Sequence, residues 1–123
     1  MTDADRDLLR DTREVRIETS RGEGAPEHRT IIWVVVDDAD RVLVRTYLGP
    51  GSRWYREALA SGRARLLVAD RAVECRVEPA ADPDRVQACS DGLRAKYRRG
   101  ASLEAMLRDE VLGTTLELHP VHE

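Results

Sequence analysis

Apolar and polar positions alternate over residues 14–18, with Val15 and Ile17 on one face and Glu14, Arg16 and Glu18 on the other. A period of two is the pattern of a half-buried strand. Two glycines and a proline within residues 20–27 break it. Residues 30–36 differ, because Ile31, Ile32, Trp33, Val34, Val35 and Val36 are consecutive apolar side chains, mostly β-branched. They predict one strand covered on both faces, by the core and by a helix or a second subunit. Asp37, Asp38 and Asp40 form a polar turn, alternation resumes over 41–47, and the two runs are expected to pair as a hairpin. Gly49, Pro50 and Gly51 stop that strand, Ser52 is placed to cap a short helix over 53–60, and Gly62 is placed to end it. A second hairpin, 65–69 with 72–78, turns at Asp70 and Arg71 and points Leu66 and Val68 at Val73, Cys75 and Val77. Asp82 followed by Pro83 reads as an N-cap with proline at the first helical position. Val86, Cys89, Leu93 and Tyr97 then give that helix one apolar stripe as far as about residue 97. A short helix over 103–108 and a strand over 114–118 complete the order.

Six strands joined mainly by short turns predict a mainly β protein with helices, an antiparallel sheet that closes into a small β-barrel. The 123 residues suit one domain over 14–119, preceded by an arm or short helix over 1–13 around Leu8 and Leu9 and followed by a loose tail over 120–123.

Charge narrows the function classes. Twenty basic and 23 acidic side chains give a net charge of -3, so no bulk positive field is available for a polyanion, and nucleic acid is not an expected partner. No apolar run approaches the roughly 18 residues of a membrane span, and the start lacks the pattern of a secretory signal. No membrane association and a cytoplasmic location are therefore expected. Cys75 and Cys89 lack metal-ligand spacing and read as reduced core thiols. Nineteen of the 20 basic residues are arginine, which lowers the weight of any one of them and raises interest in the single lysine, Lys96.

Most catalytic and metal patterns are missing. The aspartates at 37, 38 and 40 lie where aspartate bonds its own turn. Pro120 keeps His119 and His122 off a common helix face, and neither a Gly-x-Ser-x-Gly elbow nor a dinucleotide-binding glycine turn occurs. What remains is Arg29 and Thr30 starting one strand, Arg45 and Thr46 ending its partner, and Ser52, Arg53, Trp54 and Tyr55 opening the following helix. A hairpin sets Arg29 and Thr30 beside Arg45 and Thr46. Cations, hydroxyls and helix N-terminal amides at one spot would suit an anion, and the two aromatics a ring. Solvated strand ends, with Trp54 and Tyr55 packing the helix down, explain the same residues on composition and spacing alone.

Residues 14–19 (EVRIET), 29–36 (RTIIWVVV), 42–46 (VLVRT) and 53–60 (RWYREALA) together resemble the split β-barrel flavoprotein superfamily. That superfamily includes the pyridoxamine 5'-phosphate oxidase-like proteins and the deazaflavin-dependent nitroreductases. With 72–74 (AVE) and 94–97 (RAKY), the chain resembles more narrowly a family of small uncharacterised proteins within it. The resemblance spans about residues 14 to 118. It implies a six-stranded antiparallel split β-barrel, a homodimer with the cofactor in a groove between subunits, and flavin- or deazaflavin-dependent oxidoreductase activity on an unknown small molecule. Cofactor-binding residues would be Arg29, Thr30, Arg45, Thr46, Ser52, Arg53, Trp54, Tyr55 and Lys96, with no catalytic side chain and no metal. Arg45→Ala would then weaken cofactor binding without unfolding the protein. Glu23 and Glu27 replace the phosphate loop of many deazaflavin enzymes, which favours FMN, with the deazaflavin coenzyme or no cofactor as alternatives. A non-catalytic small-molecule binder on the same barrel is the other class of function. Lys96 and Tyr97 fit either ligand contact or the C-terminal pole of the helix dipole.

Overall fold

The computed structural model describes residues 3–98 and 100–121. Its elements are α1 (Asp3–Asp11), β1 (Val15–Thr19), β2 (His28–Ile32), β3 (Val34–Val36), β4 (Val42–Val44), α2 (Arg53–Ser61), β5 (Arg63–Val68), β6 (Arg71–Pro79), α3 (Pro83–Tyr97), α4 (Ala101–Leu107), α5 (Asp109–Leu112) and β7 (Leu116–Pro120). The strands form one sheet in the order β2-β1-β5-β6-β7-β4-β3, with every neighbouring pair antiparallel. Its two edge strands, β2 and β3, are separated in the chain only by Trp33. Two edges one residue apart can belong to one sheet only if it curls round on itself, so the sheet is a barrel split at a seam.

The seam corrects the expected single strand over 30–36 and raises the strand count from six to seven. β2 pairs with β1 (Val15 opposite Ile32), whereas β3 pairs with β4 (Val34 opposite Val44). Trp33 leaves the ladder to stack on Tyr97, with ring centroids 3.9 Å apart and planes 5° from parallel. The Arg13 guanidinium lies 5.7 Å from the Trp33 ring centre, within cation–π range. Two side chains at the end of α3 then satisfy the backbone of Val34. Its N–H donates to the Tyr97 hydroxyl (3.3 Å), and its carbonyl accepts from Lys96 Nζ (2.8 Å), which also donates to the Leu9 carbonyl (2.6 Å). Backbone groups at a sheet break need such partners when buried, so Lys96 and Tyr97 close the seam and dock α1. Burial pushes the Lys96 ammonium down to about 8 and the Tyr97 hydroxyl up to about 12.

Elsewhere local pattern and structure agree. Leu66 lies opposite Val73 in the β5–β6 hairpin, and the inward set is buried. Gly62 ends α2 in the left-handed region at φ 69°, and Asp82 caps α3 through the Arg85 amide. The barrel interior holds Ile17, Leu66, Cys75, Leu116 and their neighbours, and a second cluster packs α3 and α4 through Cys89, Leu93 and Met106 onto Val35 and Leu43. Gly92 lets α3 approach closely, since a Cβ there would stand 2.2 Å from Val35 Cγ1. The arm is the helix α1, anchored by fully buried Leu9. Pro120 belongs to β7 rather than to a loose tail, and Val121 donates to the Glu74 carbonyl (2.9 Å). His122 lies outside the described residues.

Candidate functional site

Where the seam meets the first turn of α2, a groove of about 480 Å³ opens between the barrel and α4. Its walls include Trp33, Trp54, Thr30, Thr46, Arg45 and Met106, and Ile31, Tyr47 and Leu48 line it as well. Those last three are 63%, 55% and 65% exposed and are among the few large apolar side chains left open to solvent. An apolar patch gathered at a concave site marks a surface that binds something. Thr30 Oγ1 has no protein partner among the described residues, while Thr46 Oγ1 accepts from the Leu48 amide (3.2 Å).

Thr30, Arg45, Thr46 and Trp54 thus line one groove, although Thr30 reaches it from β2, which pairs with β1 and not with β4. Arg29 does not. Because β2 leaves the hairpin to join β1, Arg29 turns outward, its Nε donating to Glu18 Oε2 (2.7 Å). It lines a separate open depression of about 470 Å³ with Glu18, Glu27, His28 and Arg53. Lys96 also stands apart from the groove, holding the two carbonyls of the seam. Tyr55 packs half-buried against the core, edge-on to Trp54 with ring centres 6.3 Å apart.

Arg45 is in the groove wall but only 1% exposed. Nε donates to Thr115 Oγ1, Nη1 to Ser90 Oγ and the Met106 carbonyl, and Nη2 to the Val86 carbonyl, each at 3.0 Å. Four of its five N–H groups are therefore engaged within the protein. They join α3, α4 and Thr115, the residue before β7, so removing the side chain costs stability as well as shaping of the groove. No carboxylate pairs with this guanidinium among the described residues, and burial lowers its pKa, with Arg94 acting in the same direction.

The first turn of α2 is the opposite case. Ser52 holds the N-cap position but its side chain caps nothing. Its Oγ is buried without a hydrogen-bond partner, the kind of orphan that calls for a ligand or water. Arg53, exposed, has no protein partner among the described residues. Trp54 follows it into the groove, so a ring surface, an unpaired cation and an orphaned hydroxyl lie on three successive residues.

Sequence reasoning passed over His28, on the same face of β2 as Thr30. Its Nδ1 pairs with Glu57 Oε2 (2.9 Å) on α2, and Glu57 Oε1 also accepts from Thr19 Oγ1 (2.9 Å). Glu57 is 5% exposed. Alternation along β2, which sets His28 with Thr30, was the available signal.

The turn aspartate, one acidic cluster away from the groove and the two thiols have local explanations. Asp37 Oδ1 accepts from the Ala39 and Arg41 amides (3.0 and 2.8 Å), so that aspartate bonds its own turn. Glu78, Glu117 and His119 stand close enough to share a metal, but Arg85 Nη1 already donates to both carboxylates (2.5 and 3.0 Å). Burial raises the Cys75 and Cys89 thiols to about 12 and about 11, which keeps both inert.

The model of the family described as uncharacterised proteins conserved in bacteria, DUF2255, matches residues 6–118. The chain belongs to the DUF2255 family. A comparison with curated proteins finds no match. Among solved structures, this DUF2255 member is similar to a putative pyridoxamine 5'-phosphate oxidase from Listeria innocua, at 9% identity and TM-score 0.68 over 98% of this chain and 93% of that one. It is similar to HutZ, a heme storage protein from Vibrio cholerae, at 9% identity and TM-score 0.66 over 98% and 89%. It is similar to an F420 reductase at 17% identity and TM-score 0.62 over 94% and 92%. These likenesses establish the fold as the split β-barrel of the pyridoxamine 5'-phosphate oxidase-like proteins. No helix among the described residues is long and apolar enough to cross a membrane.

Proposed function

We propose that this DUF2255 protein is a flavin-dependent oxidoreductase that binds FMN at the groove, in a homodimer. The observation that carries the reading is the buried, unpartnered Ser52 Oγ beside unpaired Arg53, at the uncapped start of α2 and next to the aromatic groove wall. The residues present fit the group. Ser52 and Arg53, with the free first-turn amides of α2, would hold the phosphate. Trp33 and Trp54 would border the ring, and the Thr30 hydroxyl would orient it. Arg45 supports this arrangement from behind, holding α4 by the Met106 carbonyl and leaving a buried positive charge beside the groove. When bound, the flavin supplies hydride or electron transfer, and the chain positions it and excludes water. Exposed Ile31, Tyr47 and Leu48 are the apolar surface a second copy would cover, which would complete the wall. A similar solved structure bears the description domain-swapped dimer.

FMN is preferred to the deazaflavin coenzyme because Glu23 and Glu27, in the loop before β2, would oppose a longer anionic tail. The substrate is a small molecule able to reach the groove. A titration of the purified protein with FMN and with the deazaflavin coenzyme, read by cofactor fluorescence, tests the proposal. Saturation at one FMN per subunit supports it. Binding of neither cofactor removes it.

A further inference from the structure

The depression next to the groove contains one more group aimed at a ligand. Glu57 is a buried carboxylate on α2, and the described side chains that donate to it are Thr19 Oγ1 and His28 Nδ1. Donation from Nδ1 fixes which imidazole nitrogen faces the carboxylate, so Nε2 is the nitrogen left for another partner. Nε2 has none among the described residues. His28, Arg29 and Arg53 line the depression together. Of the two acids in the depression, one is neutralised by its own ion pairs. Glu18 is held between Arg29 Nε (2.7 Å) and Arg65 Nη1 (2.8 Å), which keeps its carboxyl below the ordinary carboxylate value, and Glu27 is exposed. A His oriented by a buried acid is preorganised, because the bond to Glu57 settles the ring before a ligand arrives.

We infer that His28, positioned by Glu57, is a phosphate-reading residue of the flavin site, so that the protein selects phosphorylated over unphosphorylated ring ligands. This rests on the flavin reading and adds to it a residue and a specificity. Nδ1 is turned to Glu57, and Nε2 faces a phosphoryl oxygen that Ser52 and Arg53 also contact. The spacing allows it: His28 and Thr30 are two residues apart on β2, roughly 7 Å, and Thr30 lines the groove. The ligand class is therefore a flat ring carrying a phosphate monoester.

The test compares FMN with riboflavin, two ligands that differ only in the phosphate. His28→Asn is the informative variant, since the Asn amide can replace Nδ1–H toward Glu57 while Nε2 is lost. His28→Asn is expected to narrow the FMN-to-riboflavin affinity ratio about tenfold, the worth of one hydrogen bond to a charged group, with riboflavin affinity unchanged. The ring nitrogen resonances of His28 should shift on adding FMN and not on adding riboflavin. A wild-type ratio in His28→Asn, alongside a narrowed ratio in Arg53→Ala, overturns the role of His28 and leaves the flavin reading standing. Failure of wild-type protein to bind either flavin overturns both.

Discussion

Arg45, in the groove wall, and Arg53, in the depression beside it, show opposite uses of one side chain. Arg45 is buried and makes four bonds to neutral protein acceptors on α3, α4 and Thr115. Arg53 is exposed on the first turn of α2 and bonds to nothing in the described chain, next to a serine hydroxyl in the same condition. The first guanidinium shapes the site, and the second is available to it. The lesson is that a cation near a groove is assigned by its remaining donors rather than by its proximity.

The largest expected effect separates the two on stability. Arg45→Ala leaves the Met106 and Val86 carbonyls and two hydroxyls without their donor. It should destabilise the protein by about 3–5 kcal/mol, the upper range for a broken buried network. Arg53→Ala should move stability by less than about 0.5 kcal/mol. Urea unfolding of both variants checks this, and equal losses would break the distinction. The next effect inverts the order: Arg53→Ala should weaken FMN binding by roughly 10- to 100-fold, the worth of about 1.5–3 kcal/mol of charge-assisted bonding. Fluorescence titration measures it.

Lys96 extends the comparison to a cation that closes the seam. Its folded-state pKa of about 8 lies below the ordinary lysine value of 10.5. Between those values the unfolded chain holds a proton that the folded chain has released, so this group makes stability rise with pH from about 8 to 10.5. The neutral amine keeps two N–H groups for the Leu9 and Val34 carbonyls. Lys96→Met should lack that rise relative to wild type when unfolding is measured across the interval, while the two raised thiols, common to both proteins, cancel. The smallest effect concerns Ser52. Ser52→Ala removes a buried hydroxyl that caps nothing, so stability should change by less than about 0.5 kcal/mol instead of the roughly 1 kcal/mol of a working N-cap. Thermal unfolding resolves the difference, and a loss of full cap size would mean the hydroxyl already has a partner.

Much of the fold was legible where structure is local. Alternation set Leu66 opposite Val73, and Gly62 and the Asp82, Pro83 pair marked helix ends because they act through their own backbone. The seam was not legible. The apolar run through Trp33 carries no break of its own, and what breaks it is Tyr97, far along the chain, stacking on the indole and taking the Val34 amide. The same limit governs the site. Thr30 meets Arg45, Thr46 and Trp54 in the groove by the curl of the sheet and not by the hairpin the pattern suggested, and Arg45 and Arg53 are identical letters until their partners are seen. Lys96 was singled out for rarity, and its place is the seam. His28 was missed since its significance depends on Glu57, which comes from α2.

A crystal structure of the protein with FMN tests the central claim most directly. The account predicts the phosphate within hydrogen-bond distance of Ser52 Oγ and Arg53, the ring in the groove against Trp33 or Trp54, and the Arg45 bonds unchanged. FMN held elsewhere, or a phosphate bound by Arg45 with Ser52 and Arg53 still unpartnered, would contradict it.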